Sequence, residues 1–222
     1  MGNRAVITTR ENFENNGVGV YLHWNGGRDS VEAFLKYMKL RGFRSPTDDS
    51  SYGWARLCQV IGNYLGGGLS IGIDTVRHLD MDNGNNGVYI IDDWDIVGRK
   101  FFDGVEQNTY NIDEMILDID ESQPFKEQLG ADFLSAKEVK TSDIKIGDNV
   151  FVFDDIDEHY KLCQVCGFGN GFLNGYDVTE VPYVSKYGQD FSRNINNYLL
   201  EDTYRVDKTS VNDDGDMREL LF

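Results

Sequence analysis

The sequence predicts an α+β fold: an antiparallel sheet with two to four helices in the N-terminal region, followed by a small β-rich, barrel-like subdomain. Three observations carry this. Val31, Phe34, Leu35 and Met38 recur at helical spacing. Leu69, Ile71 and Ile73 alternate with Ser70 and Gly72 at the period of a strand. From about residue 136 the helical spacing gives way to short β-rich runs broken by Gly and Asn. The resulting order, β-β-α-α-β-β-β-α and then strands, lacks the regular βαβ alternation of a parallel sheet. The 222 residues divide into an α+β domain at 1–135, a small β-rich domain at 136–208 and an acidic tail at 209–222.

The elements follow in order. Residues 4–9 (RAVITT) and 17–24 (GVGVYLHW) read as strands separated by a polar, Asn-rich turn at 10–16. Asn25-Gly26-Gly27 then turns the chain into a helix capped by Asp29 or Ser30 and ended by Gly42. A second helix, from about Tyr52 to Leu65, buries Trp54, Leu57, Ile61 and Leu65 with Cys58 beside them, and Gly66-Gly67-Gly68 stops it. Residues 87–91 and 94–98 form a hairpin joined at Asp92-Asp93. A third helix covers 111–121, and a shorter fourth covers 123–130. Beyond these, 144–154, 160–169 and 171–184 read as strands.

Charge is the next constraint. The chain carries 38 acidic and 21 basic side chains, a net charge of −17. The excess is uneven: residues 1–46 are slightly basic, whereas 74–122 hold thirteen acids against three bases. Such a charge exceeds what solubility requires and adds self-repulsion to the compact state, so the acids point to a salty cell or to a positively charged partner. It also opposes direct nucleic-acid binding; the basic residues Lys36, Lys39, Arg41 and Arg44 make too short a patch without aromatic platforms. No apolar run approaches the length of a membrane span, and the amino terminus lacks the apolar stretch of a secretory signal. An odd number of cysteines, three, fits a reducing compartment. The expectation is a cytoplasmic protein with no membrane association.

Several clusters invite a chemical reading. His23, Arg28 and Asp29 flank the Gly-Gly turn, where a helix N-terminus favours an anion and where His23 and Arg28 offer a base and a cation. They are the catalytic candidates, although the GxxxxGK[ST] and GxGxxG patterns of phosphate cradles are missing, and the turn alone explains the glycines. Cys163 and Cys166 form one CxxC with His159 nearby, but zinc requires a second ligand pair, and a redox pair belongs at a helix start rather than in a strand. Asp80–Gly87 departs from a calcium loop where Ile91 replaces the final Glu, and reads better as a mobile hairpin loop. No metal or cofactor is expected. Asp92, Asp93 and Asp95 around Trp94, with Asp113, Glu114, Asp118, Asp120 and Glu121, make up the acid-rich segments. Each acid alone is ordinary solvated surface, but together they form a negative surface at spacings comparable to nucleic-acid phosphates.

Two stretches, MGNRAVITT and VYLHWNGGRDSVEAFL, open the chain with Met, a small residue, Asn and Arg, and then lead through Tyr-Leu-His-Trp-Asn-Gly into a helix. With GWARLCQVIGN, GVYIIDDWDIVGRKFF and VCGFGNGFLNGYDVTEVPYVSKYG, the chain resembles small uncharacterised proteins from phages and mobile elements of gut bacteria over most of its length. The resemblance implies a host-cell setting and, by analogy with small acidic proteins of that origin, an inhibitor of host defence of the anti-CRISPR or antirestriction kind. The leading expectation is a non-enzymatic inhibitor whose acids, with Trp94, occupy the nucleic-acid channel of a positively charged host defence nuclease. The alternative is a domain that processes or sequesters a nucleotide or nucleic acid at the His23–Asp29 turn.

Overall fold

The computed structural model describes residues 2–68, 71–138, 145 and 148–154, and beyond them the strands at 159–168, 176–180, 183–184, 190–191, 194–198 and 204–205. The chain divides into two compact units, Met1–Gln128 and Leu129–Phe222.

The first unit is built on β1 (Ala5–Thr9), β2 (Val18–Leu22), β3 (Ile71–Thr75), β4 (Val88–Asp92) and β5 (Asp95–Lys100), in the order β3-β2-β1-β4-β5. The protein is α+β, as the element pattern predicts. The sheet, however, is mixed: β1 runs parallel to β4, with Val6 opposite Val88, while every other neighbouring pair is antiparallel. The reason is the connection at 76–87: β3 and β4 run the same way on opposite sides of the β2–β1 pair, so the chain crosses the sheet between them. That leaves β1 in the middle, where all five residues of AVITT are buried.

The two faces of β1 bury different layers. Val6, with Val88 and Ile90, packs under Phe13, Tyr21, Leu79 and Met81. Ala5, Ile7, Leu22, Tyr89 and Ile91 alternate to the other side, that of the helices α2 (Arg28–Leu40), α3 (Ser50–Tyr64) and α4 (Ile112–Glu121). There α2 contributes Val31, Phe34, Leu35 and Met38, the stripe its spacing predicts, and α3 contributes Trp54, Leu57 and Ile61. Leu65 follows α3 at its C-cap and is only half-buried.

Four local differences from the sequence reading have physical causes. Residues Arg10–Asn15 form a short helix, α1, rather than a turn: Thr9 Oγ1 accepts from Asn12 N–H at 3.2 Å, and Asn16 closes the helix at φ 56°. Helix α2 begins two or three residues early, with Gly27 as its cap. The hairpin turns on Asp93-Trp94, because Asp93 adopts φ 51° and Asp92 pairs with Asp95. In place of a helix over 123–130 there is a 3₁₀ turn at Phe125–Glu127 that follows Pro124, a residue unable to donate a helical hydrogen bond.

The second unit begins with a short helix, α5 (Ala131–Ser135), which has no counterpart in the sequence reading. Strands β6 (Lys137–Glu138), β7 (Asn149–Asp154), β8 (His159–Phe168), β9 (Tyr176–Glu180), β10 (Tyr183–Val184), β11 (Asp190–Phe191), β12 (Asn194–Tyr198) and β13 (Tyr204–Arg205) follow. Six of them order as β12-β9-β8-β7-β13-β6. Among the described strands nothing pairs β12 with β6, so the barrel-like closure is not observed. The tail at 209–222 and the side chains of His159, Cys163 and Cys166 lie outside the described residues.

Candidate functional site

The Gly-Gly turn is shaped by close backbone approach. Gly26 N–H donates to Asn3 O at 2.7 Å, and a Cβ on Gly26 would stand 2.6–2.7 Å from Asn3 O, Ala5 N and Arg4 C. Tyr89 Oη donates to Gly26 O at 3.0 Å and pins the turn from beneath. His23 is exposed, 3.4 Å from Tyr21 Oη through Nδ1 and edge-on to Trp24 at 5.1 Å. Asp29 turns its own carboxylate onto the start of α2, where Oδ1 accepts from Ser30 N–H at 2.7 Å. The anion-favouring end of the helix thus already carries a negative group. Arg28 is held by acids: Nε donates to Glu32 at 2.9 Å, and Nη1 lies 3.9 Å from Glu106. Burial lowers the pKa of Arg28, but Glu32 and Glu106 outweigh it and raise it overall. Each of the three candidates is therefore engaged with a different neighbour: His23 with Tyr21 and Trp24, Arg28 with Glu32 and Glu106, and Asp29 with Ser30.

Around Arg28 lies a group of side chains that the sequence reading did not single out. Arg99 on β5 is sandwiched between the rings of Tyr89 and Phe102, 3.8 and 3.9 Å from their centroids. Its Nη1 donates to both oxygens of Glu106, at 2.9 and 3.0 Å, and its Nη2 to Asn86 O. Its Nε is buried without a partner among the described residues, which costs about 1–3 kcal/mol for a polar group. Burial lowers the pKa of this guanidinium. Tyr110 Oη donates to Glu32 at 2.6 Å. Burial alone would raise the Glu32 pKa, but the bonds from Tyr110 and Arg28 hold it below the usual carboxylate value. No local motif marks this group, because its members come from α2, β4, β5 and the segment after β5.

The acid-rich segments divide by burial. Trp94 is 3% exposed, and its Nε1–H donates to Phe43 O at 2.6 Å. Asp120 is also 3% exposed and accepts from Tyr37 Oη at 2.8 Å. These two are interior residues, a correction to their placement on a contact surface: the hairpin turn folds its indole inward, and α4 presents position 120 to the core. Asp92, Asp93, Asp95, Asp113, Glu114, Asp118 and Glu121 are exposed. Lys39 reaches Asp95 at 3.1 Å and Asp93 at 3.7 Å, and Lys36, one helical turn away on α2, reaches Asp113 at 3.4 Å. The hairpin tip and the start of α4, eighteen residues apart in sequence, thus flank one face of α2. The bond and charge of Asp95 outweigh desolvation and raise the Lys39 pKa.

The remaining candidates have structural roles. Arg41, expected on the basic face, is buried, pairs with Glu127 at 3.0 Å and shares the ring of Phe43 with Arg56. The cleft beside them, lined by Tyr37, Arg41, Phe43 and Arg56, has room for about one water molecule. Residues 79–87 connect β3 to β4, which are not sheet neighbours, so this segment is not a hairpin loop. Asn83 organises it, donating to Asp80 O and Gly87 O and accepting from Asn85 and Gly87 N–H. Cys58 is largely buried, which pushes its thiol up and away from a reactive thiolate. Among the described residues no cluster of His, Cys, Asp or Glu has the makings of a metal site, and no helix is long and apolar enough to cross a membrane. Comparison with protein-family models, with curated proteins and with solved structures found no match to this chain.

Proposed function

We propose that this protein is a phage or mobile-element inhibitor of a host defence nuclease, acting in the host cytoplasm and binding through the hairpin–α2–α4 face. The observation that supports the reading is the gathering of two distant acidic segments on one face. Asp92, Asp93 and Asp95 stand on one side of Lys36 and Lys39, with Asp113 and Glu114 on the other and Asp118 and Glu121 farther along α4. Seven exposed carboxylates against two lysines make a surface suited to a cationic, nucleic-acid-binding channel. The two lysines offset two of the seven charges, which leaves the face negative. No catalytic step is assigned to this face.

The test is displacement of duplex DNA from purified defence nucleases of the host, at low and high salt. Inhibition should weaken about tenfold or more between about 50 and 500 mM salt, because exposed charges are screened over that range. The variant D92K/D93K/D95K/D118K should lose inhibition while keeping its circular dichroism and melting curve. Equal inhibition at both salts, inhibition by the reversed variant, or no inhibition of any nuclease in the panel would set the proposal aside.

A further inference from the structure

Residues 101–111 join β5 to α4 without helix or strand. Phe102, Glu106 and Tyr110, four residues apart, are partly buried, and each touches the same group: Phe102 lies over Arg99, Glu106 takes bonds from Arg99 and faces Arg28, and Tyr110 bonds to Glu32. Val105 between them is 94% exposed, and Phe101 stands half-exposed at φ 53°. The segment is a strap fastened at three points. Beneath it, Arg99 is held against Tyr89 on the sheet and Arg28 against Glu32 on α2.

We propose that Arg28 and Arg99 form a binding site for a small monocarboxylate, and that Glu106 fills it as a tethered stand-in for the ligand. Paired guanidinium groups suit the planar, two-oxygen shape of a carboxylate, and the rings of Tyr89 and Phe102 fix the plane of Arg99 before any ligand arrives. Glu106 holds the site only modestly, because its side chain is 36% exposed and a partly solvated ion pair contributes little. Charge selects the ligand. With Glu106 displaced, Arg28, Arg99 and Glu32 leave one positive charge, which a single carboxylate neutralises and a phosphate dianion overshoots. The site takes anions and is distinct from the acidic face assigned to a cationic partner.

The experiment uses the full chain, with acetate and inorganic phosphate as probes at mildly alkaline pH. The readout is the NMR signal of the Arg99 Nε–H, identified by its loss in R99K. In E106Q, acetate should shift this signal saturably, with a half-saturation about three- to fivefold lower than in the wild-type chain, where the tethered carboxylate competes with the strength of a partly solvated ion pair. Phosphate should bind more weakly than acetate. Equal half-saturation in E106Q and wild type, tighter binding of phosphate, or no saturable shift in either chain overturns the proposal. Amide exchange of the wild-type chain decides independently of whether E106Q folds: near-saturating acetate should speed exchange at 103–109 as Glu106 is displaced, and unchanged or slower exchange overturns it.

Discussion

Replacing Tyr37 with phenylalanine removes one oxygen from the interior and tests how the helical layer is tied together. Tyr37 is 1% exposed, Asp120 is 3% exposed, and the hydroxyl donates to the carboxylate at 2.8 Å, linking α2 to α4. Burial and the neighbouring Asp120 push the hydroxyl far above its ordinary pKa, so it remains a donor throughout the working range. A hydrogen bond to a charged acceptor contributes about 1.5–3 kcal/mol, and the ring itself is retained, so Tyr37→Phe should cost about 2 kcal/mol. At about 2.1 cal/mol/K per residue, a unit of this size has an unfolding entropy of roughly 270 cal/mol/K, which places the loss at about 7 °C in Tm. The assay is direct, because Trp24, Trp54 and Trp94, the three tryptophans of the chain, all lie within Met1–Gln128. Their fluorescence follows this unit alone through denaturant and thermal unfolding. Asp120→Asn and the double variant complete a cycle whose coupling should be about 1 kcal/mol. A Tyr37→Phe loss below about 0.5 kcal/mol would refute the view that this bond is a principal tie between the helices.

Four further outcomes are expected. Gly26→Ala should cost about 3 kcal/mol or more in the same unfolding assay, because its Cβ would overlap backbone atoms of β1. Gly62→Ala should instead stabilise by about 0.5–1 kcal/mol, since a Cβ there meets only Ile71 Cδ1 at 3.9 Å within α3. Lys39→Ala should change stability by less than about 1 kcal/mol, because its pairs with Asp93 and Asp95 are solvent-exposed. Glu32 titrates below its ordinary value, so its contribution to stability is present above the unfolded carboxylate pKa and is lost as pH falls through the lower folded one. Tyr110→Phe should move that titration upward, as read from the side-chain carboxyl carbon by NMR.

What was legible in the sequence was whatever depends on local period. The stripe Val31, Phe34, Leu35, Met38 fixed a face of α2, because burial repeats at 3.6 residues, and the runs 87–91 and 94–98 on either side of Asp92-Asp93 marked a hairpin. Helix α1 was not legible, since a six-residue helix with the single apolar anchor Phe13 leaves no period to read. The parallel register of β1 with β4 was equally hidden, because it follows from the crossover at 76–87, which carries the chain from beside β2 to the other side of β1. The acids gave their location along the chain but not their partners: Asp120 falls on the same helical face as Ile112 and Ile116 and meets Tyr37 in the core, whereas Asp118 meets water, and charge alone does not separate the two. The Arg28–Arg99 group escaped for the same reason, its members being tens of residues apart and assembled only by the sheet.

Under the proposed function, the hairpin tip, α2 and α4 act as one acidic docking face. The most direct measurement is NMR shift mapping on the full chain as an arginine-rich peptide is added at low salt, where exposed charges act over about 10 Å or more. The account predicts perturbed amides at 92–95, 113–114 and 118–121, moving together with one affinity and reverting when salt is raised. Perturbations scattered over the surface, confined to only one of the two segments, or unchanged by salt would contradict it.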